Sequence, residues 1–263
     1  MEIGDADNNI TDSNANGFKN LAIMNNVSDG NPLSNVEPSQ WGAEVVTQLK
    51  ANPGISIAVA GNEIYLKGNV ANPIQYGRMY LDAVNDMKAA GIKTPLLFNM
   101  LGDYPTGTWS SPTGWSRDAS GGGWLHDAVA GVPGLGAAIL ANGLSTHPYG
   151  ALGENRDDTN GVNAVAAQEA VALKVLGAVP PFYITEFGYN IGSTANEGAS
   201  SQAEQATKAR AAYKVLLSDP HVAGIWWYQS HDDSTGHFGY MNENNTVRPT
   251  FEVLSSFAKE EGQ

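Results

Sequence analysis

The sequence predicts an α/β fold built on a parallel sheet, and three observations carry that prediction. Short apolar runs alternate with amphipathic helical patterns from about residue 20 onward. Most of these runs are continuously apolar rather than alternating, as parallel strands buried on both faces are. The length, 263 residues, suits one unit of alternating strands and helices closed into a barrel, which commonly takes about 250 residues.

Residues 1–17 are polar and rich in Gly and Asn, and read as a loop or a disordered N-terminus. Asp5, Asp7 and Asn9 have the spacing of an EF-hand loop. Ile10 stands where that loop needs glycine and Asn16 where it needs glutamate, so calcium is not expected there. The first strand is LAIM (21–24). A helix near 39–50 follows, with Trp41, Val45 and Leu49 on one face. ISIAVA (55–60) is the second strand. Asn72 and Pro73 read as N-cap and first residue of the next helix, Tyr76, Tyr80, Ala83, Val84 and Met87 as its apolar stripe, and Gly91 as its stop. TPLLF (94–98) is the third strand, followed by a long loop over about 101–123. GLSTH (143–147) comes next, then a helix from Ala164 to Leu176 ended by Gly177, then FYIT (182–185). Ser201 and Glu204 form a capping box before a helix at about 202–217. VAGIWWY (222–228) is the last strand, and Pro249 starts a final helix through Phe257. The expectation is one domain over 1–263 with about six β-α units.

Composition excludes several classes. There is no cysteine, hence no disulfide, thiolate nucleophile or Cys-zinc site. With 14 basic and 27 acidic residues the net charge is −13, against the basic surface that nucleic acid requires, and anionic lipid is disfavoured likewise. An uncharged or cationic substrate fits better. No apolar run approaches the roughly 20 residues of a membrane helix. The N-terminus lacks the basic and apolar regions of a signal peptide. The polar mix of Asn, Ser, Thr and Gly suits an exported bacterial protein whose signal has been removed, with the cytoplasm as the other location.

The parallel sheet could be an open doubly wound sheet or a barrel. Neither GxGxxG nor GxxxxGK[ST] follows the early strands, which lowers the weight of nucleotide-binding sheets. In a barrel, function sits at the C-terminal ends of the strands. Gly61-Asn62-Glu63 follows the second run, His147-Pro148-Tyr149 the fourth, Glu186-Phe187-Gly188 the fifth, and Gln229, Ser230 and His231 the last. A carboxylate inside an apolar run is costly unless it is paired or functional. Two carboxyls suffice to cleave a glycosidic bond, one protonating the leaving oxygen and the other attacking the anomeric carbon. His231, Asp232, Asp233 and His237 lie close in sequence but lack a metal-ligand pattern, so neither metal nor cofactor is expected. Tyr104, Trp109 and Trp115 in the long loop offer flat apolar faces for extra sugar subsites, or else pack the loop upon itself.

These residues together resemble the clan A glycoside hydrolases: GNE at 61–63, HPY at 147–149, TEFG at 185–188 and the tryptophan-rich run at 225–228. The resemblance spans about 20–260. It implies a TIM-type (β/α) barrel and retaining cleavage of β-linked glucosides or glucan-type oligo- and polysaccharides. It further implies Glu63 as acid/base, Glu186 as nucleophile, Asn62 on the sugar 2-hydroxyl and Tyr149 donating to Glu186. His147 would help place Glu63 or the sugar. Trp227, or next Trp226, would be the floor of the sugar site, and strand alternation lets only one of the two face the barrel interior. Trp109, Trp115 and His231 would bind further sugar.

The chain departs from the clan in one respect. The clan has three strands before its Asn-Glu, whereas one is seen here, so the first two β-α units are missing from the pattern. The barrel is therefore expected to be incomplete or open. Open strand edges tend to be covered, and a homodimer is expected to cover them. A non-catalytic carbohydrate-binding protein on a degenerate barrel is the alternative function.

Overall fold

The computed structural model describes residues 19–24, 37–62, 72–99, 122–148, 160–193, 198–233 and 236–261. The chain forms two compact units, Met1–Ser145 with Gln168–Pro181, and Thr146–Ala167 with Phe182–Gln263.

In the first unit, β1 (Asn20–Met24) pairs parallel with β2 (Ile55–Ala60), and β2 with β3 (Leu96–Asn99). β3 pairs parallel with β4 (Leu144–Thr146) through Phe98 and Asn99. Four helices intervene: α1 (Pro38–Ala51), α2 (Pro73–Ala89), α3 (Gly122–Gly131) and α4 (Leu135–Asn142). All three of the expected α1 face residues, Trp41, Val45 and Leu49, are buried. Asn72 caps α2 as expected, its side-chain oxygen accepting from the Ile74 amide at 2.9 Å, and Gly91 ends it at φ +73°. α1 approaches α2 so closely that a Cβ on Gly42 would lie 3.2 Å from the Ala83 Cα. α3 and α4 were not foreseen, because Gly131, Pro133 and Gly134 interrupt the helical pattern between them.

The core of this unit is aromatic. Phe98 on β3 lies 4.8 Å from Tyr76, 5.1 Å from Tyr80 and 5.8 Å from Trp124, ring centre to ring centre. Buried phenols need partners. Tyr76 and Tyr80, one turn apart on α2, donate to the carbonyls of Ala60 and Leu96 at 2.7 and 2.8 Å. Burial pushes both hydroxyls well above the ordinary tyrosine range, so they remain neutral donors.

The second unit holds β5 (Phe182–Phe187) paired parallel with β8 (Val222–Trp227). Between them lie a short parallel pair, β6 (Asn190–Ile191) with β7 (Gly198–Ala199), and helix α6 (Gln202–Leu216). Helix α7 (Pro249–Glu261) follows, and α5 (Asn160–Leu176) begins in this unit and ends in the first. Ser201 caps α6 by accepting from the Glu204 amide at 3.2 Å. Glu204 reaches back to Ser200, one residue beyond the usual box, accepting from its amide at 2.7 Å. Its hydrogen bonds to the Ser200 hydroxyl and amide, with Lys208 beside it, lower the carboxyl to about 2. Ile184, Phe187 and Tyr189 pack against Ala212, Tyr213 and Leu216 of α6, with Phe257 of α7 alongside.

Six parallel strands, each followed by helix, are thus seen among the described residues. This is the alternation of a TIM-type barrel with six of its eight strands, as the sequence predicts.

The Tyr76 hydroxyl joins two strands at once, since it also accepts from the Asn99 amide at 3.0 Å. Tyr76→Phe is expected to lower stability by about 1–3 kcal/mol, because two buried backbone groups lose their partner. A urea-unfolding midpoint unchanged from wild type would contradict this account.

Candidate active site

The end of β2 is held from below and from the side. Gly61 turns the chain at φ +80°, a conformation that glycine adopts without steric cost. Its amide donates to Met24 of β1 at 3.2 Å, and its carbonyl accepts from the Asn99 side chain at 3.3 Å. Asn99 is itself tied to Tyr76, so α2 and β3 together fix the point where the chain leaves β2. Asn62 stands there with its side-chain oxygen buried and without a hydrogen-bond partner among the described residues. Glu63 lies outside the described residues, as do Tyr149, Trp109 and Trp115.

The end of β5 carries the decisive geometry. Ile184 is opposite Ile225 and Phe187 opposite Trp227, so β5 spends three steps where β8 spends two. This is a β-bulge, and it changes which side chains face which way. In a regular strand Ile184 and Phe187 would point to opposite faces. Here both enter the core against α6, and Thr185 and Glu186 turn from it together. Both reach the same imidazole. His147, just past β4, has Nε2 2.9 Å from the Thr185 hydroxyl oxygen and Nδ1 3.6 Å from Glu186 Oε2. The His147 side chain is 4% exposed and that of Glu186 17%, so the carboxylate is sheltered yet reachable. The structure therefore brings His147 and Glu186 together and adds Thr185, which sequence reading passed over.

β8 sets its two tryptophans on opposite faces. Trp227 belongs to the helix-side core. Its ring lies 6.4 Å from those of Phe187 and Tyr213 and 6.3 Å from that of Tyr189, and its indole N–H donates to the Phe238 carbonyl at 2.9 Å. These contacts set the indole on the helix side of β8. Trp226 takes the opposite face, where its ring lies over Gly224 and 6.3 Å from Tyr183. The aromatic beside the bulge is Tyr228, which the sequence reading did not select. Its amide donates to the Phe187 carbonyl at 2.9 Å, and its own carbonyl lies where a Cβ on Gly188 would be. The next residue, Gln229, has its amide nitrogen buried without a partner among the described residues.

The loop beyond β8 is fastened by a buried ion pair. Arg248 forks onto Asp232, donating to Oδ1 at 2.7 Å and also to Oδ2, and it donates to the Gly239 carbonyl at 2.7 Å. His237 Nδ1 lies 3.0 Å from Asp232 Oδ2, and the Gly239 amide donates to Oδ1 at 3.0 Å. Burial alone would raise the Asp232 carboxyl. The hydrogen bonds from Arg248 and His237 and the Arg248 charge outweigh it and hold the group below the usual range. Both Asp232 oxygens are thus engaged by the arginine fork. His231 is exposed and bonded within the loop, its Nε2 2.7 Å from Asn245 Oδ1.

No family model matches the chain, and no curated protein matches it in sequence. Solved structures do match. A family 5, subfamily 18 glycoside hydrolase from Streptomyces cattleya, in complex with Manβ1-4GlcNAc, superposes with a TM-score of 0.58 at 13% identity over 95% of this chain. A family 39 glycoside hydrolase from Bacteroides cellulosilyticus gives 0.62 at 17% identity over 95%. A family 128 endo-β-1,3-glucanase from Sorangium cellulosum gives 0.57 at 14% identity over 93%. This chain has the fold of the TIM-barrel glycoside hydrolases. It spans 64% of the first of these structures, 52% of the second and 82% of the third.

The Asp232–Arg248 fork sets a stability test. Arg248→Met leaves a buried carboxylate without its main partner and is expected to cost about 3–5 kcal/mol. Because the Asp232 carboxyl is held low in the folded state, its contribution is present above the ordinary aspartate pKa and fades as pH falls through the lowered value. The wild-type advantage in urea midpoint should therefore shrink between neutral and strongly acidic pH. An advantage that does not depend on pH would refute the assignment.

Proposed function

We propose that the chain is a retaining glycoside hydrolase acting on β-linked glucosides or glucan-type polysaccharides, with Glu186 as nucleophile and Glu63 as acid/base. The observation that carries this reading is the bulged end of β5, which presents a sheltered carboxylate against a buried imidazole in a fold shared with glycoside hydrolases. In the first step the Glu63 carboxyl gives its proton to the glycosidic oxygen while a Glu186 oxygen attacks the anomeric carbon. The alcohol leaves and a glycosyl ester forms. In the second step the Glu63 carboxylate takes a proton from water, the water oxygen attacks the same carbon, and Glu186 is released as carboxylate.

Asn62 and Gln229 each carry a buried polar atom with no partner among the described residues, which suits a ligand rich in hydroxyl groups. Asn62 would meet the sugar 2-hydroxyl, and Tyr149 would donate to Glu186. Tyr228, beside the bulge, joins Trp227 and Trp226 as a candidate stacking surface, and Trp109, Trp115 and His231 are candidates for more distant sugars. An uncharged substrate avoids repulsion from the net charge of −13. The protein is taken to act outside the cell, on the composition argument above.

Hydrolysis of a panel of aryl β-glycosides by wild type, Glu63→Gln and Glu186→Gln is the test. Both variants should lose about a thousandfold or more in turnover, and added azide should restore part of the activity of Glu186→Ala. Wild-type rates in Glu186→Gln would sink the assignment. Absence of turnover in folded wild type would leave the carbohydrate-binding alternative.

Self-association is the second part of the proposal. β8 is only part-buried along its length despite the sequence VAGIWW, and among the described residues it pairs with β5 alone. Such an edge is a template for pairing. Light scattering at micromolar concentration should show a dimer, and a strict monomer would overturn this part.

A further inference from the structure

We infer that Thr185 is a positioning residue that holds the His147 ring so that Nδ1, carrying its proton, faces Glu186. This inference rests on the proposed role of Glu186. It arises from the bulge, which turns two successive side chains of β5 onto one imidazole.

A neutral imidazole has one N–H and one lone pair, and the bond made by one nitrogen determines what the other presents. A lone pair facing an ionised carboxylate is repelled, whereas an N–H facing it is attracted. The favourable arrangement places the proton on Nδ1, 3.6 Å from Glu186 Oε2. Nε2 is then an acceptor, and the Thr185 hydroxyl, 2.9 Å away, donates to it. The contact to Thr185 is the shorter of the two and is buried, with Thr185 itself 4% exposed. It is therefore the stronger anchor of ring orientation. A ring turned by half a revolution would set a carbon against the hydroxyl and leave that donor unmade. The same bond serves the reaction: Nδ1–H supports Glu186 while it is a carboxylate, before attack and after release.

Two readouts test this. The first is the 15N spectrum of the five histidines, with His147 assigned by its absence in His147→Asn. Wild type should show His147 as a single tautomer protonated on Nδ1. Thr185→Val, which keeps the shape and removes the hydroxyl, should show averaged Nδ1 and Nε2 shifts, and Thr185→Ser should restore the single form. The second readout is steady-state hydrolysis. Thr185→Val should lower kcat about tenfold, the worth of one such hydrogen bond, with KM within about twofold, and serine should recover most of the rate. A wild-type His147 protonated on Nε2, or His147 shifts unchanged in Thr185→Val, would overturn the inference. The spectrum needs no turnover, so a protein without hydrolytic activity would refute the proposed function while the tautomer still answers for Thr185.

Discussion

The second unit depends on one constraint: a carboxylate has to be carried on a strand whose neighbours must fill an apolar core. β5 reads FYITEF, and both Ile184 and Phe187 are needed against α6. Strict alternation would send one of them away and leave a gap on the helix side. It would also give Thr185 and Glu186 opposite faces. The single extra residue in β5 resolves both demands. It keeps two large side chains in the core and releases two polar ones on the other side. The cost is a disturbed ladder at the strand end, where the Tyr228 amide and the Phe187 carbonyl take up the pairing again.

The first unit meets a related demand by different means. Its strand ends are stitched by polar groups from the helix layer rather than reshaped by a bulge. Tyr76 and Tyr80 sit one turn apart on α2, and their hydroxyls reach two different strands. The rings fill space around Phe98 while the hydroxyls satisfy carbonyls that a purely apolar helix face would leave bare. Asn99 then transmits that anchoring to Gly61, the residue from which the chain departs toward Asn62. In each unit hydrogen bonds brace the end of a strand, as a site that must hold its groups in fixed directions requires.

Much of this was legible in the sequence, and the omissions have physical causes. Continuously apolar runs marked most of the six strands because a parallel strand buried on both faces leaves no room for polar alternation. Asn72, Gly91 and Ser201 marked helix ends because capping is local chemistry. α3 and α4 escaped notice because two glycines and a proline within four residues resemble a loop. The choice between Trp226 and Trp227 was open for a different reason. Alternation shows that the two differ in face but not which face is which, and that is decided by register with β5 across a bulge that no local pattern reveals. The Asp232–Arg248 pair was equally hidden, since partners sixteen residues apart in an irregular loop carry no periodic signal.

The arrangement around Glu186 also bears on whether the protein cleaves its ligand or only holds it. Sugar binding needs hydroxyl partners and flat apolar surface. Neutral groups supply these at small cost. A sheltered carboxylate is a more expensive device. It gives up solvation, which is costly for a charge. Asp232, the buried carboxylate with a structural task, is treated otherwise, with an arginine fork, a backbone amide and a histidine on its two oxygens. The Glu186 side chain is 17% exposed and that of Asp232 3%. A carboxylate left partly exposed beside a buried imidazole suits the chemistry proposed for the end of β5, as full burial in an ion pair suits the structural task of Asp232.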